Sequence, residues 1–305
     1  MEETVSVLIP TRNAAASLER LLASLGRQTL RPLEVVVCDS ASQDATPEIA
    51  RRHGASVITI NADNFDHAGT RSRMARAAHG DIVVFLTHDA IPADDRALEL
   101  LVAALRQDDD IGCAYGRQIA APSASASARF LRDFNYPPSS EIRSFSDRGR
   151  LGFATFFCSN SFAAWRKKAL EQIGWFGNSS IFGEDALAAA RLLKAGFRLA
   201  YAAEARVEHS HNYGLAEEFR RSFDIGVFHA GETWLLAAFG GPTDRGKHFV
   251  IKQAVELFRA GKIGTLVATL CHNGAKACGY LLGRRCHLIP RRLCRLFSMN
   301  RRWWR

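Results

Sequence analysis

Asp81-Ile-Val-Val-Phe-Leu-Thr-His-Asp-Ala90 is a short, wholly apolar run that ends in a polar turn. Such a run reads as a strand covered on both faces, at the centre of a parallel sheet. It delivers the Asp89 carboxylate to the sheet rim, where open α/β folds bind their ligands. The same grammar repeats on either side. Thr4-Val-Ser-Val-Leu-Ile-Pro10 is a strand stopped by proline, and Ala14 to Arg27 follows with leucines at 18, 21, 22 and 25, a helical spacing. Leu33 to Cys38 with Thr46 to His53, and Ser56 to Ile60 with Gly69 to His79, are two more strand–helix pairs. Asp94 to Gln107 supplies the next helix and Ile111 to Tyr115 a fifth strand. This alternation predicts an α/β fold with right-handed crossovers and a mainly parallel, twisted sheet with helices on both faces. The loops after the first, second and fourth strands are where chemistry is expected.

Composition bounds what surrounds that sheet. At 305 residues, 47% apolar and 23% charged, the chain accommodates one large domain with an appendage. Seven scattered cysteines without a C-x-x-C pair argue against a disulfide framework or a zinc site and fit a reducing compartment. The start, Met1-Glu-Glu-Thr, lacks the basic and apolar regions of a signal peptide, so a cytoplasmic protein is expected. The longest apolar stretches are broken by Gly240, Gly241, His272 and Lys276, so no spanning helix is expected. The net charge of +9 is unevenly spread: residues 246–305 hold thirteen Lys and Arg against one acid, Glu256. The remainder is net −3. The chain therefore divides into a folded body over 1–245 and a basic helical tail over 246–305. Arg284-Arg-Cys-His-Leu-Ile-Pro-Arg-Arg-Leu-Cys-Arg-Leu-Phe297 and Arg301-Arg-Trp-Trp-Arg305 interleave bases with apolar and aromatic residues. That suits peripheral association with the anionic inner face of a membrane, or packing on the chain's own body or a second copy. Nucleic-acid binding by the tail is a rival, weakened by the acidic body and the lack of a recognised motif.

Residues 120–150 change texture, to Ala-Pro-Ser-Ala-Ser-Ala-Ser, Tyr-Pro-Pro-Ser-Ser and Ser-Asp-Arg-Gly-Arg, which predicts a mobile loop over the site. Order resumes from Phe153 to Trp165, with helices over Lys167 to Ile173 and Glu184 to Ala195 and a strand at Arg198 to Ala202. Thr11 and Asn13 after the first strand can bond a base or ribose. Asp39 after the second can accept from a nucleobase N–H, although Ser42 and Asp44 beside it read equally as helix caps. Arg71 near a helix start reads as a diphosphate contact or a surface ion pair. Asp89 is the expected ligand of a hard divalent cation, Mg2+ or Mn2+, bridging donor phosphates. Glu184 and Asp185 at a helix start read as dipole-stabilising acids or as a general base. His209 and His211 alternate, so in an extended segment they point to opposite faces and at most one joins the metal. Asn160 and Trp165 are candidate sugar contacts. The lack of G-x-G-x-x-G after any strand counts against a dinucleotide cofactor.

In this order, Ile9-Pro-Thr-Arg-Asn13, Glu34-Val-Val-Val-Cys-Asp39, Phe65-Asp-His-Ala-Gly-Thr-Arg71, Leu86-Thr-His-Asp-Ala90, Gly183-Glu-Asp185 and His209-Ser-His-Asn-Tyr213 resemble the family-2 inverting glycosyltransferases of the GT-A nucleotide-binding fold. Within that family the chain is most similar to bacterial rhamnosyltransferases. The resemblance covers about residues 5–228; Leu296-Phe-Ser-Met-Asn300 also looks like such an enzyme's end. It implies that Thr11, Asn13, Asp39 and Arg71 hold a dTDP- or UDP-sugar, that Asp89 binds the metal with His209, and that Asp185, beside Glu184, is the base. It further implies transfer of L-rhamnose to a glycan or lipid-linked acceptor in polysaccharide synthesis. The chain departs from the family pattern at His88, Ser72 and Leu187, where another acid, an asparagine and a second acid are common. A nucleotidyltransferase on a similar fold is a rival, but its glycine-rich loop and lysine are missing.

Overall fold

The computed structural model describes residues 3–241 and 243–305, the side chains of 243–245 excepted. Met1 and Glu2, at which the start of the chain was read, lie outside what is described, and of residue 245, where the body was expected to end, only the backbone is described. The first half is the expected alternation: β1 Val5–Thr11, α1 Ala15–Leu25, β2 Glu34–Asp39, α2 Thr46–Arg52, β3 Ser56–Thr59, α3 His67–Ala77 and β4 Ile82–Leu86. A short β5 Ile91–Pro92, α4 Ala97–Arg106 and a long β6 Ile111–Ile119 follow.

The sheet runs β3-β2-β1-β4, all parallel, and then continues through strands of the second half, β8 Phe162–Arg166 and β9 Arg198–Glu208. β8 sits antiparallel between β4 and β6, and β9 pairs parallel with β6. Every residue of β1 and β4 is buried, as the wholly apolar β4 requires, and the polar Ser6 within β1 is satisfied by Glu34 at 2.6 Å. Alternate side chains feed two cores: Leu8, Val83 and Phe85 face one, and Val7, Ile9, Ile82, Val84 and Leu86 the other. Because β1 is flanked by β2 on one side and β4 on the other, the winding reverses there. The crevice opens at the carboxyl ends of these two strands, where Thr11 and Asp89 emerge.

The segment expected as a mobile loop is largely structured. It forms α5 Ala126–Asn135, capped by Ser125, then β7 Glu141–Arg143 on β9, and α6 Arg148–Leu151. Most of its small polar residues form the turns on either side of α5, Ser127 meets Gln253, and the helix carries Phe130 and Phe134, four apart and packed on Phe249. Arg143 is buried, with its guanidinium on the Tyr115 hydroxyl and the carbonyls of Ala154 and Phe157.

After α7 Lys167–Gln172 and α8 Glu184–Lys194, the chain builds a helical layer: α9 Leu215–Gly231, α10 Thr233–Phe239, α11 Thr243–Arg259, α12 Ile263–Arg284 and α13 Arg291–Phe297. α9 and α12 cross backbone to backbone. A Cβ at Gly279 would lie 2.2 Å from the Phe219 carbonyl oxygen, and one at Gly283 would lie 2.1 Å from that of Phe223. Only glycine permits this approach. Gly283→Val therefore forces the helices apart and costs roughly 1–3 kcal/mol; an unchanged unfolding midpoint in urea would contradict the crossing. The last sixty residues thus pack on the body through α12 and the terminal segment, where Leu282, Cys294, Phe297 and Trp304 join the core.

Candidate active site

One cavity of about 990 Å3 collects most of the residues singled out from sequence, among them Thr11, Arg71, Asp89, Glu184, Asp185 and His209. Its floor is the crevice between β1 and β4, and its walls come from α5, the start of α8, α9, α12 and the chain terminus.

The nucleotide-side loops are stapled to each other. Asn13 takes a left-handed backbone, φ 48°, and its side-chain oxygen accepts from the Gln43 N–H at 2.8 Å, while its own N–H donates to Ser42 Oγ at 2.8 Å. Asp39 is buried and accepts from the Ser42 N–H at 3.0 Å and from its hydroxyl. Asn13 and Asp39 hold in shape the two loops whose residues Thr11, Arg12 and Ser40 line the cavity. Asp44, read as a cap, accepts from the Ala15 N–H at 3.1 Å and ties α1 to the same loop. Thr11 and Ser40 line the cavity, and their buried hydroxyls lack a hydrogen-bond partner in the structure.

Arg71 corrects an expectation. It is buried, and its Nη1 lies 3.2 Å from Glu184 Oε1, with both side chains only 7% exposed. A guanidinium taken out of water needs a paired carboxylate, and the packing of α3 on α8 supplies Glu184. Arg71 is therefore not a free cation facing a diphosphate, and Glu184 is not a free base. The N–H groups at the start of α8 are oriented by Gly183, in a left-handed turn at φ 70° where a Cβ would press on the Phe228 ring at 3.0 Å.

Asp185, one residue on, lines the cavity and has no cationic partner within ion-pair range among the described residues. Its Oδ2 accepts from the Asn160 N–H at 3.0 Å and its Oδ1 from the Ala186 N–H at 2.8 Å. Burial, reinforced by the neighbouring Glu184 carboxylate, pushes its acid up to about 6. Asn160 itself, expected as a sugar contact, is buried behind the wall: its side-chain oxygen accepts from Trp165 Nε1 at 2.9 Å. It positions Asp185 through the backbone. Trp165 is pure core, fully buried against Phe176 with ring centroids 5.1 Å apart.

Across the cavity wall stands a cluster of Asp89, His209 and His211, with one donor atom from each lying within 4.8 Å of the others. His209 Nε2 is 3.5 Å from Asp89 Oδ1 and His211 Nε2 is 3.8 Å from Oδ2. Both imidazoles therefore reach Asp89, where alternation allowed only one. β9 ends at Glu208, so the pair lies beyond the paired strand, and their rings touch at 4.7 Å between centroids. Gln118 Oε1 lies 2.9 Å from His209 Nδ1, and the tautomer that donates there has its Nε2 lone pair free on the side of Asp89. Burial lowers His209 to about 3, so the ring is neutral and able to ligate. His88, where relatives often have an acid, hydrogen-bonds Ser17 at 2.7 Å instead.

Sequence reasoning missed three contributors. Arg132 on α5 and Arg221 on α9 line the cavity and lie within electrostatic reach of each other. Neither has a carboxylate at ion-pair distance among the described residues; they stack on Tyr136 at 6.0 Å and Phe182 at 5.0 Å respectively. The Ser125 cap and the Phe130/Phe134 spacing could have revealed α5 and hence Arg132. The third is the terminus, where Met299 to Arg302 line the same cavity. Asp224 Oδ2 accepts from the Met299 and Asn300 N–H groups at 2.9 and 3.1 Å, Arg302 binds the Ala62 carbonyl, and Arg305 pairs with Asp63 at 2.9 Å.

Residues 6–174 match the family described as glycosyl transferase family 2. Along nearly the whole chain the sequence is 38% identical over 302 residues to the O-antigen chain rhamnosyltransferase RfbN of Salmonella typhimurium, covering 98% of this chain and 96% of that one. It is likewise 38% identical over 301 residues to the O-antigen chain rhamnosyltransferase WbaN of Salmonella anatum, covering 98% and 95%. Among solved structures, the mannosyltransferase PcManGT from Pyrobaculum calidifontis, in complex with GDP-Man and Mn2+, superposes with a TM-score of 0.62 at 18% identity, over 93% of this chain and 87% of that one. At that identity the likeness is one of fold, and the fold is the GT-A arrangement.

Proposed function

Because the chain belongs to glycosyl transferase family 2, we propose that it moves L-rhamnose from dTDP-rhamnose onto a glycan or lipid-linked glycan in cell-surface polysaccharide synthesis, inverting the anomeric carbon. The sugar and the polysaccharide are suggested by the two rhamnosyltransferases it resembles over their full length. The observation that carries the chemistry is the pairing, in one cavity, of a carboxyl group raised to about 6 at Asp185 with the Asp89–His209–His211 cluster.

Asp185 takes the proton of the acceptor hydroxyl as its oxygen attacks the anomeric carbon from the face opposite the leaving group. The bond from that carbon to the diphosphate oxygen breaks, and its electron pair departs with the diphosphate. Asp89, His209 and His211 would hold a divalent cation, which when bound neutralises charge on the leaving diphosphate. Two imidazoles beside one carboxylate favour Mn2+ over Mg2+. Arg132 and Arg221 turn unpaired positive charge toward the same space and are the side chains placed to assist the leaving group. Arg71 acts at one remove, holding Glu184 and so the start of α8. Thr11 and Ser40 meet the nucleotide, while Asn13 and Asp39 keep its loops in shape. The transferase body is proposed over 1–245, with 246–305 closing the cavity and facing the inner membrane surface. Nucleic-acid binding is not favoured: Arg302 and Arg305 are engaged by residues 62 and 63.

The test is release of nucleoside diphosphate from a panel of nucleotide-sugars with Mn2+, Mg2+ or EDTA. Release from dTDP-rhamnose is expected, lost with EDTA and reduced about a hundredfold in Asp89→Ala. His211→Ala should weaken metal dependence as His209→Ala does, by roughly 10–100-fold in metal affinity. Turnover of no donor, with acceptor lipid supplied, would refute the assignment.

A further inference from the structure

The outer faces of α11 and α12 are apolar and open. Ile251, Val255 and Phe258 recur four and three residues apart on α11, and Ile263, Val267 and Leu270 repeat that spacing on α12, with exposures between 41% and 67%. Each spacing places its residues on one stripe of its helix. The inner faces are already occupied. On α11, Phe249 packs on Phe130 and Phe134, and the buried Gln253 bonds Asn273 of α12 at 3.1 Å. On α12, Gly279 and Gly283 press on α9. The hairpin cannot roll its stripe inward without breaking these contacts. Exposed cations border the stripe and its tip at Lys252, Arg259 and Lys262, against one exposed acid on the hairpin, Glu256. No helix among the described residues is long and apolar enough to cross a bilayer.

We propose that the α11–α12 hairpin is the surface that docks on an anionic lipid bilayer. Phe258 and Ile263 at its tip enter the boundary between headgroups and acyl chains, and Lys252, Arg259 and Lys262 meet the lipid phosphates. Apolar side chains flanked by long cationic ones on a helix lying in the interface plane match such a surface in both its oily and its charged layer. This deepens the reading of a lipid-linked acceptor and rests on it for its purpose. The inward side of α12 carries His272 and Lys276 into the cavity wall, so the bilayer lies about one helix diameter, ~10 Å, from the site. The arginine- and tryptophan-rich terminus, by contrast, is anchored to Asp224 and to residues 62–63.

Flotation of the full-length protein with vesicles of phosphatidylglycerol and phosphatidylethanolamine, against pure phosphatidylcholine, tests this. Wild type should float with the anionic vesicles. Phe258→Asp with Ile263→Asp should lower the partition coefficient at least tenfold, and Lys252→Glu with Lys262→Glu should abolish the preference for anionic lipid. Both variants change exposed residues and should keep the wild-type unfolding midpoint and its release of nucleoside diphosphate from soluble donor. The proposal is overturned if binding survives the tip substitutions, if it is lost instead in Leu288→Asp with Leu296→Asp on the terminal segment, or if the tip variant converts a dimer to a monomer, which would make the stripe a contact between copies. Failure of the functional reading is separate: it shows as no donor turnover by wild type, whatever the vesicles do.

Discussion

Asp185→Asn lowers sugar transfer by about three orders of magnitude, while donor affinity measured by calorimetry changes by no more than a few fold. A positioned general base is worth roughly 10²–10⁴ in rate, and an amide cannot take a proton from the acceptor. Asparagine keeps the size of the side chain but only one acceptor oxygen, so one of the Asn160 and Ala186 N–H groups loses its partner, and unchanged donor affinity is what assigns the loss to chemistry and not to collapse of the wall. The pH dependence has a definite sign. Burial, then Glu184, raise the Asp185 acid from 3.8 to about 6, and the base works only when ionised, so kcat should climb as pH rises through about 6 and level off above it. Stability runs the other way. A carboxyl whose folded value is raised favours the protonated, folded form below its unfolded value of 3.8, and that advantage is lost as pH rises toward 6. Asp185→Asn should therefore unfold no more easily than wild type at pH 7.5, and should lack the fall in stability between pH 4 and 6. A variant that keeps a tenth of the transfer rate would remove Asp185 from the role of base.

Glu184→Ala is expected to destabilise the fold by about 3–5 kcal/mol, the usual cost of leaving a buried charge without its partner. Arg71 has its side chain 7% exposed and sits 3.2 Å from Glu184, with no other carboxylate at ion-pair distance among the described residues. Urea unfolding measures the loss, and Arg71→Ala with Glu184→Ala should recover part of it, because the double variant no longer buries an unpaired charge. Glu184→Gln separates structure from catalysis. It keeps the shape of the side chain, should cost stability, and should move the acidic limb of the rate profile to lower pH, since a negative neighbour of Asp185 is gone. Were Glu184 the base, Glu184→Gln would lose as much turnover as Asp185→Asn.

Legibility differed between neighbouring residues for physical reasons. Asp89 was readable because an all-apolar strand can end only at the sheet rim, and a carboxylate there has one direction to face. Glu184 and Asp185 were readable as a pair but not by role. Only the contact of α3 with α8 shows that Arg71 takes Glu184 and leaves Asp185 to the cavity. The histidines were misjudged because period-two alternation was applied past the end of β9, where the strand pairing that enforces it stops. The segment 120–150 was misjudged because its elements, α5, β7 and α6, are short and set between turn-rich stretches whose composition dominates the reading.

The sequence by itself determined the alternating α/β order, the buried strands β1 and β4, the rim position of Asp89, the charge imbalance of the last sixty residues and the family. These rest on local periodicity, composition and short motifs, which a chain carries whatever its partners are. The tertiary structure alone decided that His209 and His211 both meet Asp89, that Arg71 pairs with Glu184, and that Arg132, Arg221 and the terminus wall the cavity. Each of these joins residues far apart along the chain, and the free energy that holds them together, from burial and the pairing of buried charge, exists only once the helices and the sheet have packed.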